Sequence, residues 1–123
     1  MKCLVVSPAM AWCIAMGLKR LETRTRRFHY RGPLAIAASK KMNWEHYNYL
    51  KSIAIQLPAP DKLEYGKIIA TTNLVDCVVF TKELEPFALW PVYKGFGLWL
   101  KDTKMLDVAV PVKGRLGLFE VSL

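Results

Sequence analysis

The sequence predicts a small mixed β-barrel, mainly β within the α+β class, with about six strands and two main helices packed at its openings. Three observations predict it. Runs rich in Val, Ile, Thr and Leu outnumber the helical stretches. The two helical stretches fall early and do not alternate regularly with strands, which argues against a helical bundle and a doubly wound sheet. A chain of 123 residues that is 53% apolar can bury one proper core, so residues 1–123 read as a single domain.

The elements follow in order. Lys2 to Val6 (KCLVV) reads as a short buried strand. Ser7-Pro8 starts a helix, with serine as the cap and proline at the first helical position. Ala9 to Met16 continues it, and Gly17 is a natural stop. Leu21 to Arg27 alternates as a strand does, His29 to Pro33 forms a turn, and Leu34 to Ser39 is a second buried strand. Ser39 is placed to cap a second helix, from about Lys40 to Ile55. Trp44 and Tyr47 share one face of that helix and are expected to pack it on the core. Leu57 to Asp61 is a loop. Lys67 to Phe80 is the longest strand candidate and is expected to bend near Asn73. Thr81 to Gly95 reads as a loop with a helical turn, Phe96 to Lys101 as a strand, and Asp102 to Lys104 as a turn. Val108 to Val112 and Leu116 to Val121 close the chain as strands, with Pro111 at an edge or bulge.

Composition narrows the function classes. No run approaches the roughly 18 apolar residues of a membrane span. The apolar start is broken by Ser7-Pro8 and followed at once by charge, so it reads as strand then helix rather than a targeting segment, and the expected location is cytoplasmic. Cys3, Cys13 and Cys77 lie in apolar segments; their odd number and the lack of a CxxC argue against disulfides or a zinc site. His29 and His46 show no ligand spacing, and no metal or cofactor is expected. Eighteen Lys+Arg against ten Asp+Glu leave a net charge of +8, which favours a polyanionic partner, nucleic acid first. No membrane and no obligate protein partner is expected.

The segment Gly17 to Arg24 (GLKRLETR) concentrates charge. On a strand, Glu22, Arg24 and Arg26 share one side, and Leu21, Thr23 and Thr25 the other. Lys19 leaves the Gly17 turn within reach of the Glu22 side. A carboxylate ringed by cations stays ionised and fixes their side chains, leaving spare donors for a phosphate or a base edge. In a dry pocket the lysine becomes a base or nucleophile. On an open strand the same residues form only an ion-pair strip worth about 0–1 kcal/mol. The residues alone leave both open.

GLKRLETR fits G-x-K-x-x-E-x-R and resembles the signature of the ASCH domain family, a branch of the PUA-like superfamily. The resemblance runs in order along nearly the whole chain. Ser7 to Trp12 (SPAMAW) stands where many members have Q-P-W-A. Thr23 to Leu34 (TRTRRFHYRGPL), then Ala38-Ser39, stands where members have N-R-T-W-R…Y-R-G-P-L and Ala-Ser. Gly66 with Leu74 to Cys77, Phe96 to Trp99, and Pro111 to Phe119 (PVKGRLGLF) are similar to later family segments. The resemblance implies a small PUA-like barrel with a cleft for RNA, a nucleotide or a nucleoside. It places Gly17, Lys19, Glu22 and Arg24 at the signature, Gly17 ending the helix and the others lining the cleft. Arg26, Tyr30, Arg31 and Lys40 join as neighbouring ligand contacts, and Trp12 as either a base-stacking or a core residue. Two departures matter: Ala9 replaces the usual Trp of Q-P-W, and Arg26 replaces a second common Trp.

The resemblance also implies an enzymatic alternative. One branch of the superfamily hydrolyses N4-acetylcytidine and related acylated nucleosides with a Lys, a Thr and a Glu; its lysine matches Lys19, but Glu22 occupies its threonine position. Lys19 and Glu22 are the catalytic candidates under that alternative. A weak metal-assisted ribonuclease is a further one, with Asp76 and Glu120 as loose candidates.

Overall fold

Strand β1 (Lys2–Val6) passes through Ser7-Pro8 into helix α1 (Pro8–Ala15), as Pro at the first helical position allows. The computed structural model describes residues 1–123. Every residue of α1 except Trp12 is buried, because the segment is apolar on all sides and has no face suited to water. Gly17, at φ +77°, ends the helix and folds the chain back, so that the amides of Leu18 and Lys19 both donate to the Cys13 carbonyl, at 2.9 and 3.1 Å. That reversal turns Lys19 inward.

The remaining elements are β2 (Leu21–Arg24), β3 (Gly32–Ala38), α2 (Trp44–Ser52), β4 (Lys67–Val79), α3 (Glu85–Ala88), β5 (Phe96–Pro111) and β6 (Leu118–Glu120). Six strands form one mixed sheet in the order β2-β5-β4-β3-β1-β6, in which only β1 and β3 run parallel. The sheet curves into a half-barrel. α1 and α2 cover its open side, where Leu4, Ile14, Leu34, Ile36, Leu50 and Leu98 meet in the main core. β2 and β6 are the two edges, and they do not pair.

Several local expectations are corrected. β2 ends at Arg24 rather than Arg27, because its partner begins at Phe96, opposite Arg24. α2 starts at Trp44, not Lys40: Asn43 Oδ1 accepts from the His46 amide at 3.0 Å, while Ser39 donates to the Lys41 carbonyl. Ser7 sits at the head of α1, but its hydroxyl pairs with His46 instead of capping. Tyr47 packs into the core; Trp44 stays largely exposed and meets Tyr47 edge-on at 5.5 Å. The expected turn at Asp102 to Lys104 is a kink inside β5, which at 16 residues is longer than β4. Asp102 adopts φ +56°, the β4–β5 register shifts three times, and the Thr72 hydroxyl donates to the Lys101 carbonyl at 3.1 Å, close to the Thr103 hydroxyl. β6 is shorter than expected, since β1 offers it only Lys2 to Leu4.

Two glycines should separate strain from crowding. Gly17 has φ +77° and nothing within 4 Å of an added Cβ, so Gly17→Ala should cost about 1–2 kcal/mol of left-handed strain. Gly95 has φ +79°, and its Cβ would lie 2.8 Å from Thr25 Cα and closer still to the Arg24 carbonyl. Gly95→Ala should therefore cost about 3 kcal/mol or more in urea denaturation. Equal costs would show that the β2–β5 junction yields freely.

Candidate functional site

The cleft lies at the open seam of the half-barrel, between the free side of β2, the ends of β1 and β3, and the start of α2. Its volume is about 580 Å³. The floor is a buried charge triad. Lys19 is only 2% exposed, and its ammonium donates to the Ala88 carbonyl and lies 3.6 Å from Glu22 Oε1. Glu22 Oε2 accepts from Arg24 Nε at 3.0 Å and pairs with its Nη2 at 2.9 Å. Arg24 Nη2 also donates to the Val5 carbonyl on β1 at 2.8 Å. One guanidinium thus spans the seam that the β ladder leaves open. The alternative of an exposed ion-pair strip does not hold, because Glu22 is only 7% exposed.

Burial and charge act against each other here. Burial pushes the Glu22 carboxyl up, but the charges of Arg24 and Lys19 and the Arg24 hydrogen bond outweigh it, and the group is held below the usual carboxylate range. Burial lowers the Lys19 ammonium, and the Glu22 charge opposes that only in part. Burial likewise lowers His46, which is therefore neutral at pH 7. Its Nδ1 lies 2.6 Å from the Ser7 hydroxyl. Cys13, behind Lys19, is pushed up to about 12 by burial and is an inert thiol.

Neutral and aromatic groups complete the walls. Trp90 stands edge-on to His46 at 4.6 Å and to Tyr49 at 5.3 Å. The Arg20 carbonyl accepts from the Leu100 amide at 2.9 Å, so by antiparallel alternation Glu22 and Arg24 bond across to β5. The amide and carbonyl of Thr23 are left on the free edge of β2, beside the cleft. Thr23 lines the cleft even though its side chain alternates away from Glu22.

The sequence-predicted site residues divide. Lys19, Glu22 and Arg24 converge, with Gly17 as the turn that aims Lys19. Arg26 does not join them: it lies beyond the end of β2 and is exposed. Tyr30 packs beside the core and donates to the Pro33 carbonyl at 2.6 Å. Arg31 staples its own turn through the carbonyls of Phe28 and Tyr30. Trp12 packs against the core away from the cleft. Lys40 folds its stem over Gly66, and Lys41 lines the cleft instead. His46, Trp90, Lys41 and Asn43 are cleft residues that sequence reasoning missed; nothing in their local pattern marks them. Asp76 and Glu120 lie on β4 and β6, paired with Arg31 and with Lys2 and the N-terminus. No three His, Cys, Asp or Glu side chains form a metal-sized group, and no helix is long and apolar enough to cross a membrane.

Architecture and cleft define a small α+β half-barrel with a charged seam. The crystal structure of ASCH from Zymomonas mobilis has this fold: it superposes with a TM-score of 0.65 at 13% identity, covering 98% of this chain and 87% of that one. The fold of this chain is thus that of an ASCH domain, the one the GLKRLETR resemblance implied. No protein-family model and no curated protein sequence matches the chain.

Two outcomes test the triad. Glu22→Ala leaves Lys19 buried without its counter-charge and should cost about 3–5 kcal/mol in urea denaturation. Because Glu22 titrates lower in the folded chain than its unfolded value of about 4.3, its stabilisation is complete above that value and is lost as pH falls through the folded value. The urea midpoint of the wild type should therefore drop below about pH 4.3 more steeply than that of Glu22→Gln. Parallel curves would mean that Glu22 is not ion-paired in solution.

Proposed function

We propose that the chain is an RNA- or nucleotide-binding module that takes its ligand into this seam. The observation that carries the reading is the state of Arg24. Its Nε and Nη2 are held by Glu22 and Val5, while Nη1 has no partner within the protein, so a fixed, charged donor remains for a phosphate. Lys41 stands at the same cleft without a carboxylate partner. Trp90, the Thr23 backbone edge and the Ser7 hydroxyl supply the flat apolar surface and the neutral donors and acceptors that a base requires. Trp90 restores, from a distant segment, an aromatic surface that Ala9 and Arg26 do not provide. The net charge of +8 agrees with a polyanionic ligand.

The buried Lys19 favours a second reading, hydrolysis of an N4-acetylcytidine-like amide, since burial lowers its pKa toward that of a working base. Its ammonium is already engaged by Ala88 and Glu22, which favours the binding reading.

Arg24→Ala should weaken binding of a short labelled RNA by about 10-fold or more, and Arg24→Lys should restore little of it, because a single ammonium nitrogen lacks the planar fork that engages Glu22 and Val5 through Nε and Nη2 and leaves Nη1 for the ligand. Fluorescence anisotropy at fixed salt measures this; affinity no better than that of an unrelated basic protein rejects the binding reading. Incubation with N4-acetylcytidine should give no cytidine, and its release would move the assignment to the hydrolase.

A further inference from the structure

Two further hollows flank the cleft, and all three meet at Val5. One, of about 380 Å³, shares Val5 and Arg24 with the cleft and is walled by Gly114, Arg115 and Leu116. The other, of about 320 Å³, shares Val5 and Ser39 with the cleft and is walled by Lys40, Gly66 and Lys113. The loop from Lys113 to Gly117 folds back onto Val5, where a Cβ on Gly114 would lie 3.3 Å from Val5 Cγ2. It therefore stands between the two hollows and presents Lys113 and Arg115 to solvent.

The charge of these hollows is one-sided. Neither is lined by an Asp or Glu. Lys40, Lys41, Lys113 and Arg115 form no ion pair in the protein; many other surface cations are also unpaired, and what sets these four apart is that they line three adjoining hollows. Four unneutralised cations thus border three adjoining hollows that meet at Val5, beside Arg24. A free mononucleotide has no use for cations beyond the cleft. A chain with a negative charge at each repeat does, since each phosphate neutralised releases a counterion.

We propose that the ligand is a single-stranded RNA. One nucleotide occupies the cleft, and the neighbouring phosphates run along Lys40, Lys41, Lys113 and Arg115 past the loop. This rests on the RNA-binding reading and deepens it from a nucleotide site to a strand track. The hollows suit a flexible single strand, whose bases turn out of the way, better than a rigid duplex.

The test compares a uridine mononucleotide with an oligouridine strand of about eight nucleotides, both titrated into the intact chain over a range of salt. The strand should bind at least about 10-fold more tightly near 0.1 M salt, and its log–log salt slope should be steeper than that of the mononucleotide by about 0.7 for each added phosphate contact. The double variant Lys113→Ala/Arg115→Ala should lower the strand's slope by about 1.4 and leave mononucleotide affinity within about 2-fold. Both residues are exposed and unpaired, and an unchanged thermal melt checks that the fold is kept. Equal affinity for mononucleotide and strand, or a strand slope that the double variant leaves unchanged, overturns the track while leaving the cleft reading standing. Failure of both ligands to bind removes the cleft reading as well. A poly-glutamate peptide that binds as tightly as the strand also overturns the proposal and assigns the groove to an acidic protein.

Discussion

Glu22 is withdrawn from water at the seam of a half-barrel, where an unpaired carboxylate would cost several kcal/mol. It is tolerated because one oxygen faces the Lys19 ammonium and the other takes two donors of the Arg24 guanidinium. Each partner is anchored in turn by a backbone carbonyl, Ala88 for Lys19 and Val5 for Arg24. The triad therefore ties together four parts of the chain: the turn after α1, strand β2, the end of α3 and strand β1. Removing Glu22 strands the Lys19 ammonium in a place where water cannot compensate, whereas losing either cation leaves Glu22 with the other.

That constraint also explains why the cleft exists. β2 pairs only with β5, and no strand hydrogen-bonds to its other edge. A fully closed ladder would fill the seam with backbone. Here a side chain bridges it, so the free edge of β2 and the spare nitrogen of Arg24 remain available to a ligand. Two glycines shape the same region: Gly17 turns the chain so that Lys19 points inward, and Gly95 lets β5 begin directly beneath Arg24. The site is rigid because its supports belong to the core, and a preorganised cation loses little freedom when it meets an anion.

The surrounding surface has a different character. The triad's charges are largely matched within the protein, so they orient more than they attract. Under the binding reading, attraction would come from exposed cations at the rim, where lysines and arginines stand without carboxylates. Rim and buried charges respond differently to salt: rim charges are screened within about 10 Å at 0.1 M, whereas a buried pair is screened much less.

Much of the architecture is legible in the chain itself. Periodicity and turn chemistry mark β1, α1, the Gly17 stop and β3, and the spacing of Lys19, Glu22 and Arg24 puts three charges within reach of one another, because those features depend on residues a few positions apart. The rest depends on contacts between distant segments. The kink at Asp102 looks like a turn until Thr72 and Thr103 bridge it, and Ser39 looks like a cap until Asn43 takes that place. His46 and Trp90 carry no local sign of a site; they enter the cleft because α2 packs beside α1, and Trp90 packs edge-on against His46 and Tyr49 of α2. Arg26 and Lys40 have the right charge near the right motif, but the end of β2 leaves Arg26 exposed outside the cleft, and the approach to Gly66 carries Lys40 into the neighbouring hollow. The amino-acid sequence by itself determined β1, α1, the Gly17 stop, β3 and the charged signature, which are short-range properties. Burial of the triad, the open seam and the membership of the cleft were decided only by the tertiary structure, since solvent exclusion arises when segments far apart in the chain close over the same volume.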